Sequence, residues 1–412
     1  MGSTRILRHA AVTASLMSIA ATCFAGDDGP THVFYIAMEN HGYAEVIGNP
    51  QMPFTNSLAR KYAVATHYFG VTHPSLPNYL AMVSGSSHPI FDDCSAVKPI
   101  PSTTPSLCAP EEFWPADIVA ANGPNDATDA DPMTDAQYQA SSITPHVLQG
   151  ETLVDQLKLA GRSWKGYMQG LPASPTLHNG TITNEVEYAP GTVQDSQGNP
   201  VLVKQYAEKH NPFLYFANIR ADQSQLSRIV PFDALANDLA SGHVPNFSFI
   251  VPDQCSDMHG VSTAATSWLT AHGHPEYQGC DTDIAGPGAP LPSTPNVFTI
   301  GDAFLQRTVT AIQSSPVWRH GRNYIVIVWD EDDYSGFAGC CGSPKNTETG
   351  AVLGGAQVPA IVISNHPQHD HTHPRKANHI SMLGALQTLW DLPCLGETCN
   401  PYNRRALLPL FD

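Results

Sequence analysis

The feature that most constrains this chain is a series of short, nearly uninterrupted apolar runs: His32–Met38, Phe213–Ile219, Phe247–Val251, Tyr324–Trp329 and Val358–Ser364. Runs rich in β-branched residues and lacking polar alternation read as strands buried on both faces. Helical spacing lies between them, over Thr55–Tyr62, Pro77–Ser84, Thr152–Ala160, Phe232–Ala240, Asp302–Ser314 and His379–Leu392. Strands alternating with helices predict an α/β fold, a three-layer αβα sandwich around a mainly parallel central sheet. In such sheets sites gather beyond the carboxyl ends of the strands, so the residues that follow each run are the first candidates for chemistry.

The flanking sequence sets the setting. Arg5 and Arg8 precede an apolar run from Ala10 to Phe24 and then Ala25, the layout of a secretory signal peptide over residues 1–25. That run is shorter than a bilayer-spanning helix requires. The expectation is a periplasmic or secreted protein with no stable membrane anchor. Residues 26–412 read as a single domain with long polar insertions near 92–144, 171–204 and 261–295, of the kind that form lids or rims. Without the leader eight of the nine Cys remain. An even number in an exported chain suggests disulfides. Sequence proximity favours Cys94 with Cys108, Cys255 with Cys280 and Cys394 with Cys399, and the adjacent Cys340 and Cys341 are the hardest to place. Loss of Arg5 and Arg8 lowers Lys plus Arg from 20 to 18 against 37 Asp plus Glu, a net charge of −19 with His neutral. So acidic a chain is not expected to bind nucleic acid or anionic membranes.

The candidate functional residues follow the strands. HVFYIAM runs into Glu39, Asn40 and His41; a carboxylate and an amide just past a buried strand can hold a divalent cation and a substrate oxygen. In THPSLPNYLAMVSG, Pro77 suits the first turn of a helix, which places Ser75 at its start, beside free backbone N–H groups that favour an anion. A serine there can attack phosphorus. As an isolated feature a Ser before Pro is more often only a cap, and His73 equally suits a rigid Thr-His-Pro turn. NFSFIV ends in PDQCSDMHG, which supplies Asp257 and His259 as a ligand pair two residues apart, against the alternative of an Asx-turn loop. YIVIVW ends in Asp330, Glu331, Asp332 and Asp333, a run of acids that repel unless solvent or a cation compensates them. His379, from a His-rich stretch, opens the last helix and is a candidate metal ligand or general acid.

This order of motifs resembles the phosphoesterase family of bacterial phospholipases C and AcpA-type acid phosphatases, within the alkaline-phosphatase-like superfamily. Its most specific parts here are MENHGY, VTHPSLPNYLAMVSG, IVIVWDEDD and the blocks VPAIVIS and NHISMLGALQTLW. The resemblance implies an alkaline-phosphatase-like sheet and a metal-assisted phosphoserine. It makes Glu39, Asp330 and Glu331 ligands, Asn40 the amide beside them and Ser75 the nucleophile. The reading of the residues adds Asp257 and His259 to the ligands, for a second ion if there is one, lets Asn40 hold a nonbridging oxygen, and offers His73 or His379 as the proton donor to the leaving alcohol. The expected substrate is a small phosphate ester or a phospholipid headgroup, with an acid-phosphatase-like monoesterase favoured over a phospholipase C. A noncatalytic metal- or phosphate-binding protein is the alternative from another class. By a wider comparison with nucleotide pyrophosphatases, Asp93 stands where a phosphate-binding Asn is expected. Tyr79 stands where sulfatases carry Arg, which disfavours sulfate esters.

Overall fold

Eight strands form the central sheet of the computed structural model: β1 (His32–Met38), β2 (Ala63–Ala65), β3 (Trp164–Met168), β4 (Ile229–Pro231), β5 (Phe247–Val251), β6 (Asn323–Trp329), β7 (Ala360–Ser364) and β8 (Thr372–His373). The structure describes residues 31–94, 96, 131–133, 146–171, 177–178, 181–182, 192–194, 200–203, 205–281, 295–347, 351–369 and 371–412. The expected leader, Cys108 and most of the first two insertions lie outside these residues. The spatial order is β4-β3-β5-β1-β6-β7-β2-β8, and β7 alone runs against its neighbours. Every residue of β5, β6 and β7 is buried, as uninterrupted apolar strands between two helical layers must be.

Two groups of helices cover the sheet. In one, α2 (Ser75–Ser84) and α6 (His379–Leu389) pack together, with α3 (Leu153–Leu159) against α2. In the other, α1 (Pro53–Lys61) and α4 (Ala234–Ser241) pack on the long α5 (Val297–Ser314). This is the predicted αβα arrangement. No helix among the described residues is long and apolar enough to cross a membrane.

Three details depart from the sequence reading. Phe213–Ile219 is not a strand: Asn211-Pro212 starts a 3-10 turn over Pro212–Tyr215, and a short helix, Ala217–Ala221, follows. The run is apolar because Phe213 packs on Trp164 and Phe249. β2, β3, β4 and β8 escape prediction because AVA, WKGYM, IVP and TH are short, and WKGYM and IVP are interrupted by Lys, Gly or Pro. The third insertion contains a helix, Thr263–Ala271, whose Ser262 side chain accepts the Ala265 N–H at its start.

Of the cysteines, Cys255–Cys280 and Cys394–Cys399 pair as proximity suggested, and the neighbours Cys340 and Cys341 are bonded to each other. Cys94 is also disulfide-bonded.

Sheet register prepares the site. Met38 lies opposite Trp329, so Glu39 and Asp330 emerge side by side. The Asp330 N–H donates to the Met38 carbonyl (3.0 Å), and the Glu39 N–H to the Asp257 carbonyl (2.8 Å). The tips of β1 and β6 and the loop after β5 therefore converge.

Candidate active site

At the tip of β1, Asn40 adopts φ +50, a left-handed conformation that Asn tolerates better than most residues. This breaks strand alternation and lets both Glu39 and Asn40 face the same place. The Asn40 amide stands 3.2 Å from Glu39 Oε2 and 3.3 Å from Glu331 Oε1. Turned one way, its NH2 donates to both carboxylates. Turned the other, its oxygen joins them as a further acceptor, an arrangement that only a cation favours.

Ser75 is the first residue of α2, and a small network fixes it there. The Asn78 side chain accepts the Val71 and Thr72 N–H groups (2.7 and 3.2 Å) and donates to the Thr72 and Pro74 carbonyls (2.6 and 3.1 Å). It thereby clamps the incoming loop onto the first turn. Gly70 lets that loop lie against the tip of β6, since a Cβ there would stand 2.6 Å from the Asp330 carbonyl oxygen. The Ser75 hydroxyl reaches Glu39 Oε2 (3.0 Å) and Glu331 Oε1 (3.2 Å), and it accepts from Lys209 Nζ (3.1 Å).

The other side of the site is built from loops. Lys209 and His210 sit on a 3-10 turn, Glu208–His210. His210 Nε2 lies 3.0 Å from Glu39 Oε1 and its Nδ1 3.3 Å from Asp257 Oδ2. The ring of Tyr79 stacks on it at 5.0 Å. Lys209 donates to Asp93 Oδ2 (2.8 Å) and faces His259 Nε2 (3.4 Å).

The cluster concentrates buried acids that repel one another. Burial, with Glu39 and Glu331 adding to it, raises the Asp330 carboxyl well above the usual range. Burial pushes Asp257 up to about 7 despite His210, and Glu331 up to about 7 despite His73. Burial also acts to raise Glu39, but His210, Lys209 and His259 outweigh it and hold Glu39 low. His210 rises to about 9 because Glu39 and Asp257 overcome its burial. Asp330 Oδ2 is buried with no hydrogen-bond partner among the described residues, and Glu39 Oε1, Asp257 Oδ2 and His210 Nε2, equally buried, make ion-pair contacts at most and no well-aligned hydrogen bond. Buried polar atoms are rarely left so. Carboxylate oxygens and an imidazole nitrogen are the donor types a divalent cation takes. Elsewhere Asp92, Cys94 and His146 also lie close together. Cys94 is disulfide-bonded and offers no thiolate, while His146 Nε2 pairs with Asp92 Oδ1 at 2.6 Å.

The structure thus brings Glu39, Asn40, Ser75, Asp257, Asp330 and Glu331 together. Three expected residues sit differently. His379 is buried with Nε2 2.7 Å from the Asp330 carbonyl oxygen and Nδ1 2.9 Å from the Tyr68 hydroxyl, so neither nitrogen is left for a metal or a leaving group. His73 Nδ1 lies 2.9 Å from Glu331 Oε2, and its Nε2 faces the Gly336 carbonyl (3.1 Å) and Asp332 (3.4 Å). Burial works against its charge, but Glu331 and Asp332 raise it to about 10, a cation locked among acids. His259 turns Nδ1 to the Gly260 carbonyl (3.0 Å) and Nε2 to Lys209, and the imidazole between the acids is His210 instead. Lys209 and His210 were invisible beforehand because they follow no strand; the one signal was a Lys-His pair before Asn-Pro.

The sequence profile named Phosphoesterase family matches residues 35–272, from within β1 to beyond the Asp257 loop. The chain belongs to the phosphoesterase family. This phosphoesterase is a phosphoric ester hydrolase, and its relatives carry matching names. It is 25% identical over 370 residues to a phosphatidylinositol-3-phosphatase of Mycobacterium tuberculosis, covering 90% of this chain and 80% of that one. It is 22% identical over 365 residues to a Kluyveromyces lactis protein named "Probable acid phosphatase", covering 88% and 59%. An Aspergillus fumigatus acid phosphatase is 22% identical over 236 residues, 57% of this chain and 38% of that one. The phosphoesterase thus spans less than two thirds of the fungal proteins. A Vibrio parahaemolyticus protein of the alkaline phosphatase superfamily overlays with a TM-score of 0.39 at 13% identity, covering 88% and 66% of the two chains. An overlay so loose says nothing of activity.

Proposed function

We propose that this phosphoesterase is an exported, metal-dependent phosphomonoesterase in which Ser75 forms a phosphoserine. One observation supports this most: the Ser75 hydroxyl sits among Glu39, Glu331 and Lys209, next to the buried, unpartnered Asp330 Oδ2 and the ion-paired Glu39, Asp257 and His210. Glu39, Asp330 and Glu331, with the Asn40 amide, would hold the ion, and Asp257 with His210 extends the donor set. A bound divalent ion would supply Lewis acidity and stabilise a serine alkoxide near neutral pH.

The chain's own residues do the rest. Glu39 or Glu331 takes the Ser75 proton along an existing hydrogen bond as Oγ attacks phosphorus and the ester P–O bond breaks. The N-terminal turn of α2 faces the developing anion with its positive end. Asn40 holds a nonbridging oxygen, and water later hydrolyses the phosphoserine. His73 keeps Glu331 oriented rather than donating a proton to the alcohol, and His379 holds the Asp330 backbone. The disulfides support the reading of residues 1–25 as an export signal.

The test is release of p-nitrophenol from its phosphate monoester and from its phosphocholine diester, at acid to alkaline pH, with and without chelator. Wild type should prefer the monoester and stop with chelator, and Ser75→Ala should lose at least about 10⁴-fold. Preference for the diester would move the assignment to a phospholipase C or another phosphodiesterase. Bound metal with no turnover on either ester would favour a noncatalytic binding protein.

A further inference from the structure

We propose that Lys209 is a catalytic cation that binds a nonbridging phosphoryl oxygen and makes the site selective for dianionic phosphate monoesters. This rests on the phosphoserine reading of Ser75. Its starting point is Asp93, a carboxylate standing beside the nucleophile where it should repel a phosphoryl group. Both of its oxygens are engaged: Oδ1 accepts the Leu76 N–H (3.0 Å), and Oδ2 accepts from Lys209 Nζ (2.8 Å). Asp93 is therefore fastened to the first turn of the nucleophile's own helix and holds an ammonium in register with Ser75.

The aim of Lys209 is fixed from behind as well. Its neighbour His210 is wedged between Glu39 and Asp257, and the Glu208 side chain accepts the Ala96 N–H (3.1 Å). An ammonium has three donors. Here they face Asp93, Ser75 Oγ (3.1 Å) and His259 (3.4 Å). Lys209 is the one amine among the described residues that hydrogen-bonds the nucleophile.

When Oγ bonds phosphorus, the donor that faced the hydroxyl finds a nonbridging oxygen within the same reach. The proton balance does not involve Lys209: the Ser75 proton goes to Glu39 or Glu331, and the leaving alkoxide takes its proton from solvent. Lys209 acts by charge alone. Phosphoryl transfer spreads charge over three equatorial oxygens. A monoester presents all of them free, whereas a diester carries one fewer negative charge and blocks one oxygen with its second ester group. A fixed ammonium therefore favours the monoester.

The experiment uses the full, metal-loaded chain and its variants Lys209→Met, Lys209→Arg, Asp93→Asn and the double Asp93→Asn/Lys209→Met, checked for fold and metal content. Turnover of p-nitrophenyl phosphate and bis(p-nitrophenyl) phosphate is measured on each. Calorimetry follows inorganic phosphate binding to Ser75→Ala with and without Lys209→Met. Lys209→Met should lower monoester kcat/KM by about 10²–10³-fold and diester kcat/KM by about tenfold or less, and should weaken phosphate binding. Lys209→Arg should recover part of the monoester activity, and the double variant should stay slow. Equal losses on both esters, unchanged phosphate binding, or recovery in the double variant would overturn the proposal, the last by showing that Lys209 only neutralises Asp93. If wild type cleaves neither ester, the phosphoserine reading fails, and the calorimetry still decides whether Lys209 binds phosphate.

Discussion

The side of the site made of strand tips carries carboxylates and an amide, whereas the loops carry every positive side chain of the site, Lys209 and the imidazoles His73, His210 and His259, along with the acids Asp93 and Asp257 that hold them. Glu39, Asn40, Asp330 and Glu331 leave β1 and β6, whose pairing is set residue by residue. Lys209, His210 and His259 hang on a 3-10 turn and a loop, and they are held chiefly by the charges they face. The difference teaches that the strand tips supply fixed negative charge at little conformational freedom, while the loops supply all of the positive charge, paired with acids of their own. The acids would remain near one another without the loops. The cations would have no reason to gather without the acids.

The strand-tip side should be the less forgiving. Glu39→Gln preserves shape and removes charge, so the divalent ion, measured by elemental analysis after dialysis, should be lost. Turnover should fall by more than the roughly 10–100-fold typical of outer-layer partners of a metal. Full ion content in that variant would break the comparison. On the loop side, His210→Asn should weaken ion binding by about 10–100-fold and leave Ser75-dependent activity recoverable at high metal concentration. If added metal restores nothing, His210 belongs functionally with the strand tips.

Smaller effects sharpen the same contrast. His379→Leu leaves the Asp330 carbonyl and the Tyr68 hydroxyl without their buried partner and should cost about 1–3 kcal/mol of stability. Turnover per folded molecule should stay within about tenfold, with the shape of its pH profile unchanged; a loss of about 10²–10⁴-fold would restore His379 as an acid or ligand. The smallest effect concerns pH. In metal-free protein Asp257 and Glu331, raised to about 7, and Asp330, raised well above the usual carboxylate range, hold more protons folded than unfolded. The lowered His88, His259 and His379 oppose this only while unfolded His still holds protons, and the raised His73 and His210 act in the same direction as the acids. Stability should therefore fall as pH rises from about 6.5 to 8. Saturating metal should flatten that slope in thermal melts; a metal-free Tm that rises over this window would refute the ionisation picture.

What the sequence disclosed follows the same division. β1 and β6 announce themselves as unbroken apolar runs, and the residues after such a run must lie at a sheet edge, so Glu39, Asn40, Asp330 and Glu331 were readable. Ser75 was readable because Pro77 marks a helix start. His379 showed only half its role: its place at the head of α6 is local, but the 2.7 Å approach of its ring to the Asp330 carbonyl depends on how two distant segments pack. The same holds for His73, whose partners Glu331 and Asp332 lie far along the chain. Lys209 and His210 follow a stretch with neither period nor strand, and nothing local tells that they face Asp93 and Glu39.

The pairing of β1 has a consequence for how the molecule comes into being. It is the earliest strand of the sheet, yet one neighbour is β6, and Asn40 meets Asp330 across 290 residues. Contacts of such long range close late and slowly. A nascent chain can pair β1 with β5 early, but the half of the sheet beyond β1 waits until β6 has been made. Glu39 and Asp330 are kept apart until that moment, so the buried acid cluster is among the last parts of the molecule to form.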